Sequence, residues 1–253
     1  MNLHYEVTGP SNAPAIVLGH SLGATLASWD PQVAALAQRL RVVRYDVRGH
    51  GRSPVQPGPC EMADLGNDLL ALLDGLGIER AHLLGLSLGG MSSMWLAARH
   101  PERVGRLIVC ATSALLGPPE FWAGRAAAVR AGGCASIADA VVARWFTPGF
   151  RQRHPEVVAD MRAMIASTPA EGYAVLCGAI GRMDLQGDLG AIRAPTLAIA
   201  GADDPATPPE HLERIAAAIP GGRVAVVPEA AHLLNVEQPE RVTQLILQHL
   251  EVP

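Results

Sequence analysis

Apolar and polar positions along the chain switch repeatedly between two periods. Leu3 to Thr8 alternates, as a half-buried strand does, and Gly9-Pro10-Ser11-Asn12 follows as a turn. Ala15 to Leu18 is a short continuous apolar run, the mark of a strand buried on both faces. Pro31 to Leu40 then spaces its apolar residues as a helix does, with Asp30 placed to cap it and Pro31 at the first helical position. The same exchange repeats downstream. Arg41 to Tyr45 reads as a strand and Met62 to Leu76 as an amphipathic helix closed by Gly77. Ala81 to Leu86 is a strand, Leu88 to Arg99 a helix, and Val104 to Ala111 a further apolar strand.

From about Pro118 to Leu189 the rhythm changes. Only helical spacing is found, over Glu120 to Ala131, Ser136 to Phe146, Pro155 to Ser167 and Ala170 to Gly181, punctuated by Pro148, Gly149, Pro155 and Pro169. Strands resume with Thr196 to Ala200 and Arg223 to Val227, each joined to a helix. Alternating strands and helices predict an α/β fold, a mostly parallel sheet with helices on both faces. The expected division is a core of residues 1–116 and 191–253 and an all-helical cap, 117–190, over the sheet's C-terminal edge, where open α/β folds bind ligands.

One strand-to-helix corner raises a chemical question. Gly85-Leu86-Ser87-Leu88-Gly89-Gly90 matches Gly-x-Ser-x-Gly, and two answers compete. Ser87 is either a nucleophile on a strained turn or part of an ordinary glycine-rich connection. A serine hydroxyl needs a base in reach, and the base needs an orienting acid. On this kind of fold they follow in the order acid, then histidine, each in a loop after a later strand. Gly201-Ala202-Asp203-Asp204-Pro205 follows one such strand and Pro228-Glu229-Ala230-Ala231-His232 the next. Counting from Gly201 favours Asp204 as the acid, with Asp203 as fallback, and His232 as the base. The oxyanion of acyl transfer needs two backbone donors. The N–H of Leu88, directly after the serine, and that of Leu22, in the loop after the Ala15 to Leu18 strand, are the candidates. Among the other histidines, His82 inside a strand reads as a satisfied core residue, His50 as pinning its glycine-rich turn, and His249 as part of the last helix. Ser21, Ser92 and Ser93 lack the corner context.

Composition narrows the field further. Apolar residues make up 49 % of the 253 positions and charged ones 17 %, which is a globular balance. The net charge of −4 argues against a nucleic-acid surface, and no apolar run is long enough to span a bilayer. With no signal-peptide pattern at the N-terminus, the expected location is cytoplasmic and the expected partner a small molecule, with the oligomeric state left open. Cys60, Cys110, Cys134 and Cys177 form no C-x-x-C pair and read as free thiols. Every basic residue is arginine. The absence of lysine excludes an internal Schiff base, a Ser-x-x-Lys hydrolase and a Walker A loop, and no cofactor or metal motif is present.

The motifs His20-Ser21-Leu22-Gly23, Tyr45-Asp46-Val47-Arg48-Gly49-His50-Gly51-Arg52-Ser53, Gly85 to Met91 and Ala231-His232 together resemble the α/β-hydrolase superfamily over nearly the whole chain. A narrower resemblance is to the 3-oxoadipate enol-lactone hydrolases of the bacterial protocatechuate pathway. Its carriers are Trp29-Asp30-Pro31-Gln32, Gly117 to Trp122, Arg144-Trp145-Phe146-Thr147-Pro148, Glu171-Gly172-Tyr173, Gly201 to Pro208 and Asn235-Val236-Glu237. The chain departs from that pattern at His20, Leu88 and Leu234. The resemblance implies a five-membered enol-lactone substrate with an acetate arm, opened through an acyl-enzyme with no cofactor. In a lysine-free chain the arm calls for arginine. Arg125 and Arg144, beside Trp122 and Trp145 in the helical stretch, are the candidates. Two rivals stand beside this reading. One is a carboxylesterase, C–C hydrolase or perhydrolase of the same fold, and the other a non-catalytic small-molecule receptor on the same scaffold.

Overall fold

The computed structural model describes residues 2–251. In chain order it forms β1 (Tyr5–Thr8), β2 (Ala15–Gly19), α1 (Asp30–Leu36), β3 (Arg41–Tyr45), α2 (Met62–Gly75), β4 (Ala81–Leu86), α3 (Leu88–Arg99) and β5 (Val104–Cys110). Five helices follow without a strand: α4 (Pro119–Gly132), α5 (Ala138–Trp145), α6 (Pro148–Arg153), α7 (Pro155–Ala166) and α8 (Ala170–Arg182). The chain then returns through β6 (Thr196–Gly201), α9 (Pro209–Ala218), β7 (Arg223–Val227), α10 (Leu234–Glu237) and α11 (Pro239–Leu250). No single helix among the described residues is long and apolar enough to cross a membrane.

The seven strands make one sheet in the order β1-β3-β2-β4-β5-β6-β7. Only β1 runs antiparallel, pairing Tyr5 with Tyr45 and Thr8 with Val42. The other pairs are parallel, in register Gly19 with Gly85 across β2 and β4, and Gly201 with Val227 across β6 and β7. Strands β2 and β4 are neighbours whose onward connections leave in opposite directions, to β3 and to β5. Their C-terminal ends therefore border a crevice at the topological switch point. Residues of β2 are buried throughout, as expected of a strand with helices on both faces.

Two expectations need correcting. Asp30 does not cap α1: Trp29 occupies that position, while the Asp30 carboxylate lies inside the helix and pairs with Arg44 on β3. The buried guanidinium competes successfully for an acid that could otherwise bind helix N–H groups. Helix α6 was hidden by Pro148 and Gly149. Pro148 starts it, at the position where proline's missing N–H costs nothing, and the Thr147 hydroxyl caps it by accepting the Phe150 N–H at 3.3 Å.

The helical stretch is hinged and clasped to the sheet. Leu115 on its entry pairs with Asp184 on its exit, and the Leu185 N–H donates to the Ala114 carbonyl at 2.8 Å. On the far side the Leu233 N–H donates to the Trp145 carbonyl at 3.0 Å.

Candidate active site

Ser87 stands between β4 and α3 with φ 54° and ψ −113°. A side chain with positive φ is strained, and such residues persist only where their surroundings over-determine them. Here the surroundings are close-packed backbone. A Cβ at Gly85 would overlap the Gly89 carbonyl, and one at Gly89 would overlap the carbonyl of Gly19 on β2. The glycines of the motif are therefore dictated by the approach of three backbones. The Ser87 N–H donates to the Cys110 carbonyl at 2.8 Å, and the Thr112 hydroxyl donates to the Ser87 carbonyl at 2.7 Å. The corner is held from both sides.

The loop after β7 brings His232 to the loop after β6. His232 Nδ1 lies 2.8 Å from Asp204 Oδ2, and both are buried. Asp204 also accepts the Ala206 N–H at 2.8 Å, the Thr207 N–H at 3.2 Å and the Thr207 hydroxyl at 2.7 Å. Burial alone would raise its carboxyl pKa, but the His232 imidazole and these donors outweigh it and hold the group down to about 2. An acceptor-only carboxylate at Nδ1 fixes the imidazole proton there and leaves Nε2 free. Asp203 is exposed, and its N–H is spent on the Ala230 carbonyl. The sequence alternatives are thus separated: Asp204 meets His232 and Asp203 does not.

Ser87 and His232 line the same cavity, of about 260 Å³, with Ser21 and Leu22 from the loop after β2. Among the described residues, neither the Leu22 N–H nor the Leu88 N–H donates to a protein acceptor. For Leu88 the cause is its place as the first residue of α3, where a helix leaves its N–H groups unpaired.

The helical stretch supplies the opposite wall through Trp122, Arg125, Val141, Arg144, Trp145, Tyr173 and Ile180. All four residues expected there, Trp122, Arg125, Arg144 and Trp145, are among them. Arg125 packs its guanidinium 4.9 Å from the Phe121 ring centre and 5.4 Å from that of Trp122. Elsewhere in this stretch Arg130 pairs with Glu171, Arg162 with Asp139 and Arg182 with Glu61, while Arg151 and Arg153, which form no ion pair among the described residues, do not line this cavity. Arg125 and Arg144 have no carboxylate ion-pair partner among the described residues. Burial, and then Arg125 nearby, lower the pKa of Arg144. Two like charges facing one small cavity favour an anion there.

Several lining residues were not legible as such. Thr207 and Tyr173 carry no motif of their own, though both fall within phrases that bear the family resemblance. Thr207 lies 3.4 Å from His232 Nδ1 and braces Asp204. Tyr173 is buried against Gly23 and stacks on His50 with ring centres 6.2 Å apart.

The two loop histidines do more than pin turns. His20 Nε2 accepts the Val47 N–H at 2.9 Å, and His50 Nε2 accepts the Gly23 N–H at 2.9 Å. Their Nδ1 atoms face the carbonyls of Ser21 at 2.8 Å and Arg48 at 3.3 Å. Each ring must therefore be neutral, with its proton on Nδ1. The exchange braces the loop carrying Leu22 against the loop after β3, and the His20 carbonyl ties the same loop to the Gly89 N–H at 3.0 Å. Burial, and then His20, push His50 down to about 3, and burial lowers His20 as well. A histidine held below its unfolded value of 6.5 leaves the folded state stable above that pH and destabilises it as pH falls toward about 3. Each unit in that window costs about 1.4 kcal/mol per such group. Urea midpoints at about pH 7 and about pH 4.5 should show this loss, and His50→Gln, whose amide accepts without titrating, should show a shallower one. Equal slopes for the two proteins would remove His50 from the account.

His82 is a correction. It is half-buried and its Nδ1 has no partner, because the residue beside it on β5 is Gly105, which offers no side chain. It lies near the N-terminal end of β4, away from the cavity.

A nucleophile-type corner, an acid–imidazole pair and a cavity at the switch point of a parallel sheet define a hydrolase scaffold. Residues 14–239 match the alpha/beta hydrolase fold family, and the chain belongs to it. Within that family it is similar to 3-oxoadipate enol-lactonase 2 of Acinetobacter baylyi, at 40 % identity over 94 % of this chain and 89 % of that protein. The crystal structure of the enol-lactonase from Burkholderia xenovorans LB400 superposes with a TM-score of 0.96, at 43 % identity over 98 % of this chain and 96 % of that one. A thermophilic esterase from Thermogutta terrifontis, solved with malate bound, superposes at 0.93, with 35 % identity over 98 % of this chain and 93 % of that one.

Proposed function

We propose that the protein is a serine hydrolase that opens a small anionic enol-lactone, 3-oxoadipate enol-lactone, to 3-oxoadipate in the breakdown of aromatic compounds. The observation that carries the reading is the pair of arginines without carboxylate partners facing Ser87 and His232 across one small cavity. The enol-lactonase names of its relatives, and the malate bound in the esterase, support a carboxylate-bearing substrate.

In the reading, His232 Nε2 takes the Ser87 proton as Oγ attacks the lactone carbonyl. The oxyanion rests between the N–H groups of Leu22 and Leu88, each such donor contributing roughly 3–4 kcal/mol to lowering the barrier. Collapse breaks the ring C–O bond. The leaving enol oxygen takes the proton from His232, and the enol tautomerises to the ketone. Water then attacks the acyl-enzyme, giving one proton to His232, and the second collapse returns that proton to Ser87 and releases the new carboxylic acid, which gives its remaining proton to solvent. Asp204 keeps the imidazole oriented and stabilises its charged form. Residues 117–190 act as a cap whose Trp122, Arg125, Arg144 and Trp145 hold the acetate arm.

The arm makes a test. Arg125→Ala and Arg144→Ala should each raise KM for the enol-lactone about 10- to 100-fold, the cost of one charge-assisted hydrogen-bonded contact. Neither should change KM for p-nitrophenyl acetate, which carries no anion, by more than about 2-fold. Equal effects on both substrates would favour a general carboxylesterase with a structural arginine pair.

A further inference from the structure

The loop that carries His232 is tied to the helical cap by a buried acid that no part of the mechanism uses. Glu237, at the end of α10, is 7 % exposed, and no cation pairs with it among the described residues. Its two oxygens are filled by donors from two directions. Oε2 accepts the N–H of Ala231, the residue before His232, at 2.8 Å. Oε1 accepts the Thr147 N–H at 3.1 Å and also the Thr147 hydroxyl. Thr147 caps α6 and stands two residues after Trp145, a wall of the cavity. On the other side of His232, the Leu233 N–H is bonded to the Trp145 carbonyl. Both residues flanking the imidazole are therefore fastened to the segment that carries Arg144 and Trp145, one directly and one through the Glu237 carboxylate.

We propose that Glu237 is a positioning residue: its carboxylate bridges the His232 loop to the Arg144–Thr147 segment and fixes the distance between the proton-transfer group and the wall that binds the substrate's anionic arm. The proposal rests on the functional reading above. A buried carboxylate needs strong donors to be tolerated, and this one spends them on two backbones that must keep register. A glutamine offers a single acceptor oxygen; placed at Oε2 it holds the Ala231 N–H but keeps only the longer contact to the Thr147 N–H, at 3.4 Å, and loses the acceptor of the Thr147 hydroxyl. Valine at 147 keeps the N–H and loses the hydroxyl, which weakens the arm that reaches the cap and removes the acceptor of the Phe150 N–H at the start of α6, while the Ala231 arm stays intact.

The test uses the full chain with two substrates, the enol-lactone and p-nitrophenyl acetate, and the variants Glu237→Gln, Glu237→Ala and Thr147→Val. Glu237→Gln should lower kcat on both substrates about 10-fold, as His232 loses part of its anchor, and raise KM for the lactone alone about 5-fold. Glu237→Ala should lose about 100-fold in kcat, so that glutamine counts as partial rescue. Thr147→Val should raise KM for the lactone about 3- to 5-fold while kcat on the ester stays within about 2-fold. The ester arm reads the His232 anchor whichever acid is the natural substrate, so failure of the lactone reading is seen separately, as wild-type turnover of the ester alone. Glu237→Gln and Thr147→Val proteins that melt cooperatively and keep wild-type kcat and KM on both substrates would reduce Glu237 to a structural contact. If Glu237→Ala fails to fold, the other two variants decide.

Discussion

Ser87→Ala is expected to lower kcat/KM by about 10⁴-fold or more on every substrate the protein hydrolyses, without unfolding it. The side chain removed is one hydroxyl on a cavity wall, so no core packing is lost. The corner is set by Gly85 and Gly89 against neighbouring backbone and by the Thr112 hydroxyl on the Ser87 carbonyl, none of which needs the Ser87 oxygen. A companion change separates chemistry from strain. Ser87→Gly should be equally inactive yet melt higher than Ser87→Ala, because at φ 54° a Cβ is held against its preference at a cost of about 1–3 kcal/mol and glycine is not. Thermal melts and initial rates on the three proteins check both halves. An inactive alanine variant that melts above the glycine variant would mean that the corner is relaxed and its geometry incidental.

The second large effect is expected at Asp204. Asp204→Asn should cost about 10³- to 10⁴-fold in kcat. The amide is neutral and can turn its donor side to Nδ1, which moves the imidazole proton to Nε2 and blocks it as a base. Asp203→Asn should change kcat by less than about 2-fold, since Asp203 is exposed and its contact with the Ala230 carbonyl is made by backbone. The pH dependence has a definite sign. Burial opposes ionisation of Asp204, but His232 and the Thr207 and Ala206 donors hold its carboxyl at about 2, below its ordinary 3.8. Its contribution to stability is therefore present above about pH 4 and is lost as pH falls toward about 2. Asp204→Asn should lose the part of the acid-unfolding slope that lies in that window. A wild-type slope in the asparagine variant would place the titrating carboxylate elsewhere.

The parts of this site that could be read from sequence are those that depend on local order. The strand Ala81–Leu86 and the helix Leu88–Arg99 are bounded as their apolar spacing predicts, because a fully buried strand and a helix opening on a glycine pair leave little choice. The order of Ser87, Asp204 and His232 in loops after successive strands is also a sequence property. The contacts that were not legible join residues far apart in the chain. Glu237 meets Thr147 of the helical stretch, and His20 and His50 exchange backbone donors between two loops. No periodicity encodes such pairs. Helix α6 is illegible for a different reason: Pro148 and Gly149 read as breakers, and only the Thr147 cap reveals that the proline begins a helix. His82 shows the converse failure. A histidine within a strand reads as partnered because buried polar atoms usually are, and here the neighbouring glycine supplies no side chain to its Nδ1.

The most direct test of the central claim is steady-state hydrolysis of 3-oxoadipate enol-lactone by the wild-type protein, followed by loss of the lactone absorbance beside p-nitrophenyl acetate. The account predicts kcat/KM on the order of 10⁴ M⁻¹s⁻¹ or more for the lactone, well above the ester, and abolished in Ser87→Ala. Turnover of the ester at a rate matching or exceeding that of the lactone would contradict the assignment of the arginine-lined cavity to an anionic lactone, and lactone turnover that survives in Ser87→Ala would contradict the nucleophile itself.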